Sequence, residues 1–149
     1  MEEKKKRELI GIVIFDGEKF LLLHRVLHWE GWEFPKGGVK GGETHEEAIR
    51  RELFEETGIS NYEIISKIDE FDFFDSMRKD YSHATNYIVR APNTSKITFS
   101  NQESIANGAK LIEHDSYKWF FPKDAVKSIY HNDQRDTLKK VIALLGIGG

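Results

Sequence analysis

The sequence predicts an α/β fold of the α+β type, a mixed β-sheet with helices packed on it. Two observations support this class. Strand-like runs come first, one helix-like segment follows, and further strand-like runs then lead to helices at the end. The 149 residues, with apolar side chains spread along most of the chain, suffice for one core and are too few for two ordinary domains. We therefore expect a single domain over residues 1–149.

The first element is a predicted β-hairpin. Residues 9–15 and 20–26 are apolar, strand-like runs, and Asp16-Gly17 between them is a strong turn signal. Residues 28–42 follow as a predicted loop rich in tryptophan and glycine. Repeated glycine in such a loop indicates tight turns or a close approach of the backbone to a ligand.

A helix of about three to four turns is predicted next. Thr44 with Glu47 three residues later forms a capping box, which marks the helix start. Gly58 marks its end, because glycine readily adopts the left-handed conformation at a helix C-terminus.

The second half of the chain is predicted to hold four strands and two helices. The strands cover residues 62–68, 71–74, 83–90 and 110–121, and much of 92–108 is a predicted loop. Pro122 is placed at the first position of a helix. The apolar stripe of the last helix, in residues 135–145, consists of Leu138, Val141, Ile142 and Leu145.

Composition excludes several classes of function. The formal charge of −3 provides no global basic field of the kind that drives sequence-independent nucleic-acid binding. The chain has no cysteine, which rules out disulfides, a thiolate nucleophile and a cysteine zinc site, and fits a cytoplasmic protein. No apolar stretch is long enough for a membrane helix, so we predict no membrane association. Nothing in the sequence separates a monomer from a homodimer.

Three glutamates on the predicted central helix form the main candidate site. Glu52, Glu55 and Glu56 are spaced by three and four residues, so they project from one helix face towards a common point. Three crowded carboxylates repel one another unless a divalent cation neutralises them, and all-oxygen ligands suit Mg²⁺, with Mn²⁺ as a substitute. The alternative is a solvated acidic face, which most acidic helices are.

The residues around these glutamates decide between the two interpretations. Seven fixed identities and two apolar positions match the Nudix box, with a chance of random occurrence on the order of 10⁻⁸ for a given register. The identities are Gly37, Glu43, Arg51, Glu52, Glu55, Glu56 and Gly58, and the apolar positions are Leu53 and Ile59. The chain thus resembles the Nudix hydrolases over residues 37–59. The resemblance implies the Nudix fold, a mixed sheet sandwiched between helices, and hydrolysis of a nucleoside diphosphate linked to another group.

The resemblance also implies roles for individual residues. The three helix glutamates would be metal ligands and catalytic groups, and the carbonyl of Gly37 would be a further ligand. Arg51 would hold a glutamate in place by a charge-assisted hydrogen bond. Ala48 and Leu53 would anchor the helix to the sheet. Glu113, in a Glu-His segment similar to one in diadenosine tetraphosphate hydrolases, is expected to join the metal cluster as a catalytic carboxylate.

The sequence before the box bears on the substrate. Trp32 to Gly38 resembles both diadenosine polyphosphate hydrolases, which often have Pro-Lys-Gly, and RNA 5′-pyrophosphohydrolases, which often have glutamine at the lysine position. Lys36 favours the first group and would place a cation beside the polyphosphate. The aromatic residues with which a base is expected to stack are Phe74, Tyr81, Tyr87 and Phe121. Against this ranking, the chain lacks the tyrosine that these hydrolases usually carry fifteen to eighteen residues past the box.

The predicted function is Mg²⁺-dependent hydrolysis of diadenosine polyphosphates to mononucleotides. One alternative is removal of pyrophosphate from an RNA 5′ end, and another is hydrolysis of a nucleoside triphosphate. A non-enzymatic alternative is a nucleotide-sensing Nudix domain, against which the complete box argues, since a sensor has no need of every metal ligand.

Overall fold

The computed structural model describes residues 6–76, 78–99, 104–106 and 109–147. Its main sheet has the strand order β3-β2-β1-β6-β5, with β4 paired to β1 and β9 paired to β2, and β7 and β8 form a separate pair. The strands are β1 (Arg7–Phe15), β2 (Phe20–Arg25), β3 (Gly31–Glu33), β4 (Lys36–Gly38), β5 (Glu63–Asp75), β6 (Asp80–Arg90), β7 (Ser104–Ala106), β8 (Ala109–Leu111) and β9 (His114–Phe120). The helices are α1 (His45–Thr57), α2 (Pro122–Ser128) and α3 (Asn132–Leu145).

The main sheet is mixed, as predicted. Strand β1 runs parallel to β6 and antiparallel to β2 and β4, so it has neighbours from both halves of the chain. Successive side chains of a strand point to opposite faces. Ile10, Ile12 and Ile14 accordingly pack in one apolar core and Val13 in the other.

The two cores place the sheet between helices, which confirms the expected sandwich. Ala48, Ile49 and Leu53 of α1 are fully buried in the first core. Ala125, Leu138 and Val141 bring α2 and α3 into the second core. The predicted anchoring of α1 through Ala48 and Leu53 therefore agrees with the structure.

The ends of α1 have the predicted chemistry. The Glu47 backbone N–H donates to the Thr44 hydroxyl at 3.1 Å, and the Thr44 N–H donates to the Glu47 carboxylate at 3.2 Å. Gly58 has φ 77°, in the left-handed region, and its N–H donates to the carbonyl of Phe54. A complete capping box and a glycine cap fix both ends of the helix that carries the glutamates.

Several sequence-based boundaries were wrong. The predicted loop over residues 28–42 contains β3 and β4, which are too short to show alternation. Strand β5 is continuous over residues where two strands were predicted. Shifts in its register with β6 disturb the alternation of apolar residues along this strand. The strand predicted over residues 110–121 is divided between β8 and β9. Strand β7 lies in the predicted loop 92–108, of which residues 100–103 and 107–108 lie outside the described residues.

The C-terminal helices begin close to their predicted positions. Pro122 is the first residue of α2, and Leu138 and Val141 of α3 are buried. Leu145, at the end of the predicted stripe, is 36% exposed. Within the described part of the chain, no helix combines the length and apolar character that crossing a membrane requires.

Candidate active site

An open cleft of about 660 Å³ lies where α1 faces the start of β1, strand β4 and the segment before β9. Three chain segments far apart in sequence thus contribute to one site. The lining residues are Arg7, Lys36, Gly37, Gly38, Val39, Lys40, Arg51, Glu52, Glu55, Glu56 and Glu113. All predicted metal ligands and catalytic residues are among them, and so is Lys36.

Gly37 brings the backbone of β4 directly against Glu52. A Cβ atom at Gly37 would lie 2.1 Å from the carboxylate carbon of Glu52. Real Cβ atoms essentially never come so close to another heavy atom. The site therefore needs glycine here for close approach, not for an unusual backbone conformation.

Arg51 forms hydrogen bonds with several residues of the cleft wall. It donates from Nε and Nη2 to the two carboxylate oxygens of Glu43, at 2.8 Å each, and from Nη2 to the carbonyl of Gly38 at 2.8 Å. The bidentate bond from Arg51, helped by the backbone N–H of Lys40, lowers the pKa of Glu43 to about 2. Arg51 thus links the helix to the loop that precedes it.

Arg51 also contacts two helix glutamates. Its Nη1 donates to Glu52 at 2.7 Å and to Glu55 at 3.4 Å. Glu52 and Glu55 therefore turn towards Arg51, and all three helix carboxylates line the cleft. Among the described residues, the three groups whose ligand atoms all lie within 4.8 Å of one another are Glu33, Glu113 and His114.

The buried carboxylates of the cleft repel one another. Glu52 and Glu56 are only 7% and 6% exposed. Burial raises the pKa of Glu52 against the opposing effect of Arg51. Burial, and after it the charges of Glu113, Glu52 and Glu33, raise the pKa of Glu56 well above its ordinary value. A divalent cation would offset this repulsion, and carboxylate oxygens are the ligands that Mg²⁺ and Mn²⁺ prefer, so the residues fit the predicted metal.

The four aromatic candidates for base stacking lie outside the lining of the cleft. Phe74 and Tyr81 pair with each other, 5.5 Å between ring centroids, on strands β5 and β6. The hydroxyl of Tyr87 lies 2.7 Å from Nδ1 of His45. Phe121 directly precedes α2, and the ammonium group of Lys19 lies 4.5 Å from its ring centroid. The sequence did not show where the fold would place these four residues relative to the cleft, and their role in binding stays a prediction.

A different aromatic pair lies near the cleft. The ring of Trp29 stacks on that of Tyr130, with centroids 4.5 Å apart. The guanidinium of Arg25 lies 5.3 Å from the Trp29 ring, and the same guanidinium contacts Glu113 of the cleft. The tryptophan-rich loop was the only sequence signal for this pair.

Two groups of charged residues at or next to the cleft were not predicted from the sequence. Arg7 and Lys40 join Lys36 as cations of the cleft. Their position follows from the pairing of β4 with β1, which the sequence did not reveal. Arg25 and Glu33 lie behind Glu113, and Glu33 is 2% exposed.

Neighbouring residues stabilise the ionised form of the buried Glu33. Burial opposes its ionisation most strongly, but the hydrogen bond with His114 and the charges of Arg25 and Lys36 together leave the pKa of Glu33 below its ordinary value. A buried carboxylate is tolerated when it is paired and hydrogen-bonded in this way.

The arrangement of the sheet and the helices is that of the Nudix fold. The NUDIX domain model matches residues 5–141, and the chain belongs to the Nudix family. An RNA pyrophosphohydrolase of Caulobacter vibrioides is 31% identical over 127 residues, which cover 80% of this chain and 74% of that protein.

Solved structures agree on the fold. A C. elegans Ap4A hydrolase in a binary complex superposes with a TM-score of 0.75 at 24% identity, covering 94% of this chain and 98% of that one. The E. coli dihydroneopterin triphosphate pyrophosphohydrolase superposes with a TM-score of 0.70 at 21% identity, covering 95% and 99%. At such identities the likeness extends to the fold alone.

Proposed function

We propose that this protein is a Mg²⁺-dependent pyrophosphohydrolase that cleaves a phosphoanhydride bond in a nucleoside diphosphate-linked substrate. The observation that carries the proposal is the charge pattern of one cleft, in which carboxylates and cations lie together. The carboxylates are Glu52, Glu55, Glu56 and Glu113, and the cations besides Arg51 are Arg7, Lys36 and Lys40. The first set suits a divalent cation, and the second suits the phosphates that the cation accompanies.

Each set has a separate task. Glu52, Glu55, Glu56 and Glu113, with the carbonyl of Gly37, would hold Mg²⁺ or Mn²⁺. When bound there, the metal would supply positive charge that makes the phosphorus more open to attack by water. The basic side chains neutralise and orient the polyphosphate. The guanidinium of Arg51 is committed to carboxylates by its hydrogen bonds, so it positions ligands and leaves phosphate binding to the other cations.

Diadenosine polyphosphates remain the first candidate substrate. Lys36, the residue that favoured them, lies in the cleft where a cation beside a polyphosphate is needed. A specific observation favours a second candidate, the 5′-triphosphate end of RNA, because the bacterial relative at 31% identity is an RNA pyrophosphohydrolase.

Parallel turnover measurements would separate the candidates. Purified protein with Mg²⁺ would be given diadenosine tetraphosphate, 5′-triphosphorylated RNA and common nucleoside triphosphates, and kcat/KM compared. We expect diadenosine tetraphosphate to give the highest value. Equal or higher kcat/KM on the RNA would reverse the ranking.

The metal site has its own test. We expect Glu56→Gln to remove nearly all turnover, since the substitution keeps the size of the side chain and removes a metal-binding charge. Glu46→Gln is the matched control, because Glu46 is an exposed residue of the same helix outside the cleft lining. Glu56→Gln turnover above about a tenth of the wild-type rate contradicts the placement of Glu56 as a ligand. Nucleotide binding by a wild-type protein that turns over none of the substrates would favour a sensor.

A further inference from the structure

A buried charged network lies directly behind Glu113. Arg25, the last residue of β2, donates from Nη1 to Oε1 of Glu113 at 3.0 Å and to Oε2 of Glu33 at 3.2 Å. Nε2 of His114 lies 2.8 Å from the same Glu33 oxygen. Glu33 and His114 are 2% and 1% exposed, whereas the side chain of Glu113 is 28% exposed. The network therefore runs from the protein interior to a carboxylate of the cleft.

The backbone supports this arrangement independently of the side chains. Arg25 lies opposite His114 in the β2–β9 pairing, and the register shifts between His24 and Arg25. Such a shift redirects a side chain out of the regular alternation. The backbone N–H of Val26 donates to the carbonyl of Glu113 at 3.0 Å. Replacing the Arg25 side chain therefore leaves the main chain of Glu113 attached to β2.

The spacing of Glu33, Glu113 and His114 would also suit a metal ion. Their ligand atoms lie within 4.8 Å of one another. The guanidinium of Arg25, however, already contacts both carboxylates and supplies the positive charge there. The one positive charge of Arg25 offsets part of the repulsion between these two carboxylates and already links them without a metal ion.

We propose that Arg25 is a positioning residue for hydrolysis: held from behind by the Glu33–His114 pair, it fixes the Glu113 carboxylate on the wall of the metal cleft. The inference rests on the proposed function, because the placement of Glu113 matters to turnover only if this cleft is catalytic. Partners that orient a metal ligand typically affect metal affinity or activity by about 10- to 100-fold. Without Arg25, the half-buried Glu113 side chain is free to turn towards solvent.

A double-mutant cycle tests whether Arg25 acts through Glu113. Arg25→Gln, Glu113→Gln and the double variant would be compared by kcat, by KM and by Mn²⁺ affinity from calorimetry without substrate. We expect Arg25→Gln to lower kcat by about 10- to 100-fold and to change KM by less than about twofold. We expect the double variant to be no slower, and to bind Mn²⁺ no more weakly, than Glu113→Gln alone.

Two further variants keep the test interpretable. Arg78→Gln is the control, since Arg78 is a half-buried arginine that donates to Ser82 at 3.1 Å and lies outside the cleft lining. Arg25→Gln leaves Glu33 buried without its arginine, which threatens folding. If that variant does not fold, Arg25→Met with Glu33→Gln removes both charges together and takes its place in the cycle.

The outcomes are distinct. Additive losses from the Arg25 and Glu113 changes, or a wild-type kcat for Arg25→Gln, would overturn the positioning role. If the wild type hydrolyses none of the phosphoanhydride substrates, the proposed function fails instead, and the Mn²⁺ cycle then tests whether Arg25 fixes Glu113 as a metal ligand. Equal losses of Mn²⁺ affinity in both single variants and in the double variant would support it, and an unchanged affinity in Arg25→Gln would overturn it.

Discussion

A single methyl group added at Gly37 should disable the cleft while leaving the fold in place. The Cβ of Gly37→Ala would lie 2.1 Å from the carboxylate carbon of Glu52, and ordinary contacts begin at 3.4 Å. The carboxylate must therefore retreat by about 1.3 Å, and a misplacement of about 1 Å in a catalytic geometry can lower the rate about 100-fold.

The two sides of this contact differ in how easily they can move. Gly37 pairs with Ile10 in the β4–β1 ladder, and Glu52 is held by Arg51 at 2.7 Å. The strain should therefore displace the functional group, because moving β4 would break backbone hydrogen bonds of the sheet.

The assay is steady-state hydrolysis at saturating Mg²⁺, combined with thermal unfolding. We expect kcat of Gly37→Ala to fall about 100-fold with a small change in Tm. Gly41→Ala is the matched control, since a Cβ at Gly41 meets nothing within 4 Å. A Gly37→Ala variant with more than half of the wild-type kcat would refute the argument, and so would equal losses in both variants.

Three further predictions concern stability and binding. The pKa of Glu43 is lowered to about 2, so its contribution to stability is complete above its ordinary pKa of 4.5 and is lost as the pH falls towards 2. The Tm difference between wild type and Glu43→Gln should accordingly shrink over that interval, and a difference independent of pH would contradict the assignment. Leu53→Ala should lower the free energy of unfolding by about 2–5 kcal/mol in urea titrations, because the side chain is fully buried; a loss below about 1 kcal/mol would show that α1 is not anchored there. Tyr130→Ala should raise KM for diadenosine tetraphosphate more than Phe74→Ala does, because the Trp29–Tyr130 pair adjoins the cleft; the reverse order would restore Phe74 as the stacking residue.

The sequence predicted best what depends on neighbours in the chain. Thr44, Glu47 and Gly58 set the ends of α1 through contacts within a few residues, so the helix could be located and its glutamates assigned to one face. Glu113 was a different case. Its segment was recognised by resemblance, and the structure brings it into the same cleft as the helix.

Features that depend on distant pairing could not be predicted. The hydrogen bond between His114 and Glu33 joins residues 81 positions apart, and neither side chain has a local pattern that indicates the other. Arg7 lines the cleft because β1 pairs with β4, a strand of three residues without alternation. For the same reason, the sequence could not show where Phe74, Tyr81, Tyr87 and Phe121 lie relative to the cleft.

The parallel pairing of β1 with β6 has a consequence for biosynthesis. Arg7 is matched with Ser82 and Phe15 with Arg90, so each pair joins residues about 75 positions apart, and such non-local pairing slows folding. A ribosome makes the glutamate helix well before it makes β6. Because Val89 of β6 packs in the same core as α1, that core cannot be completed before β6 has been synthesised.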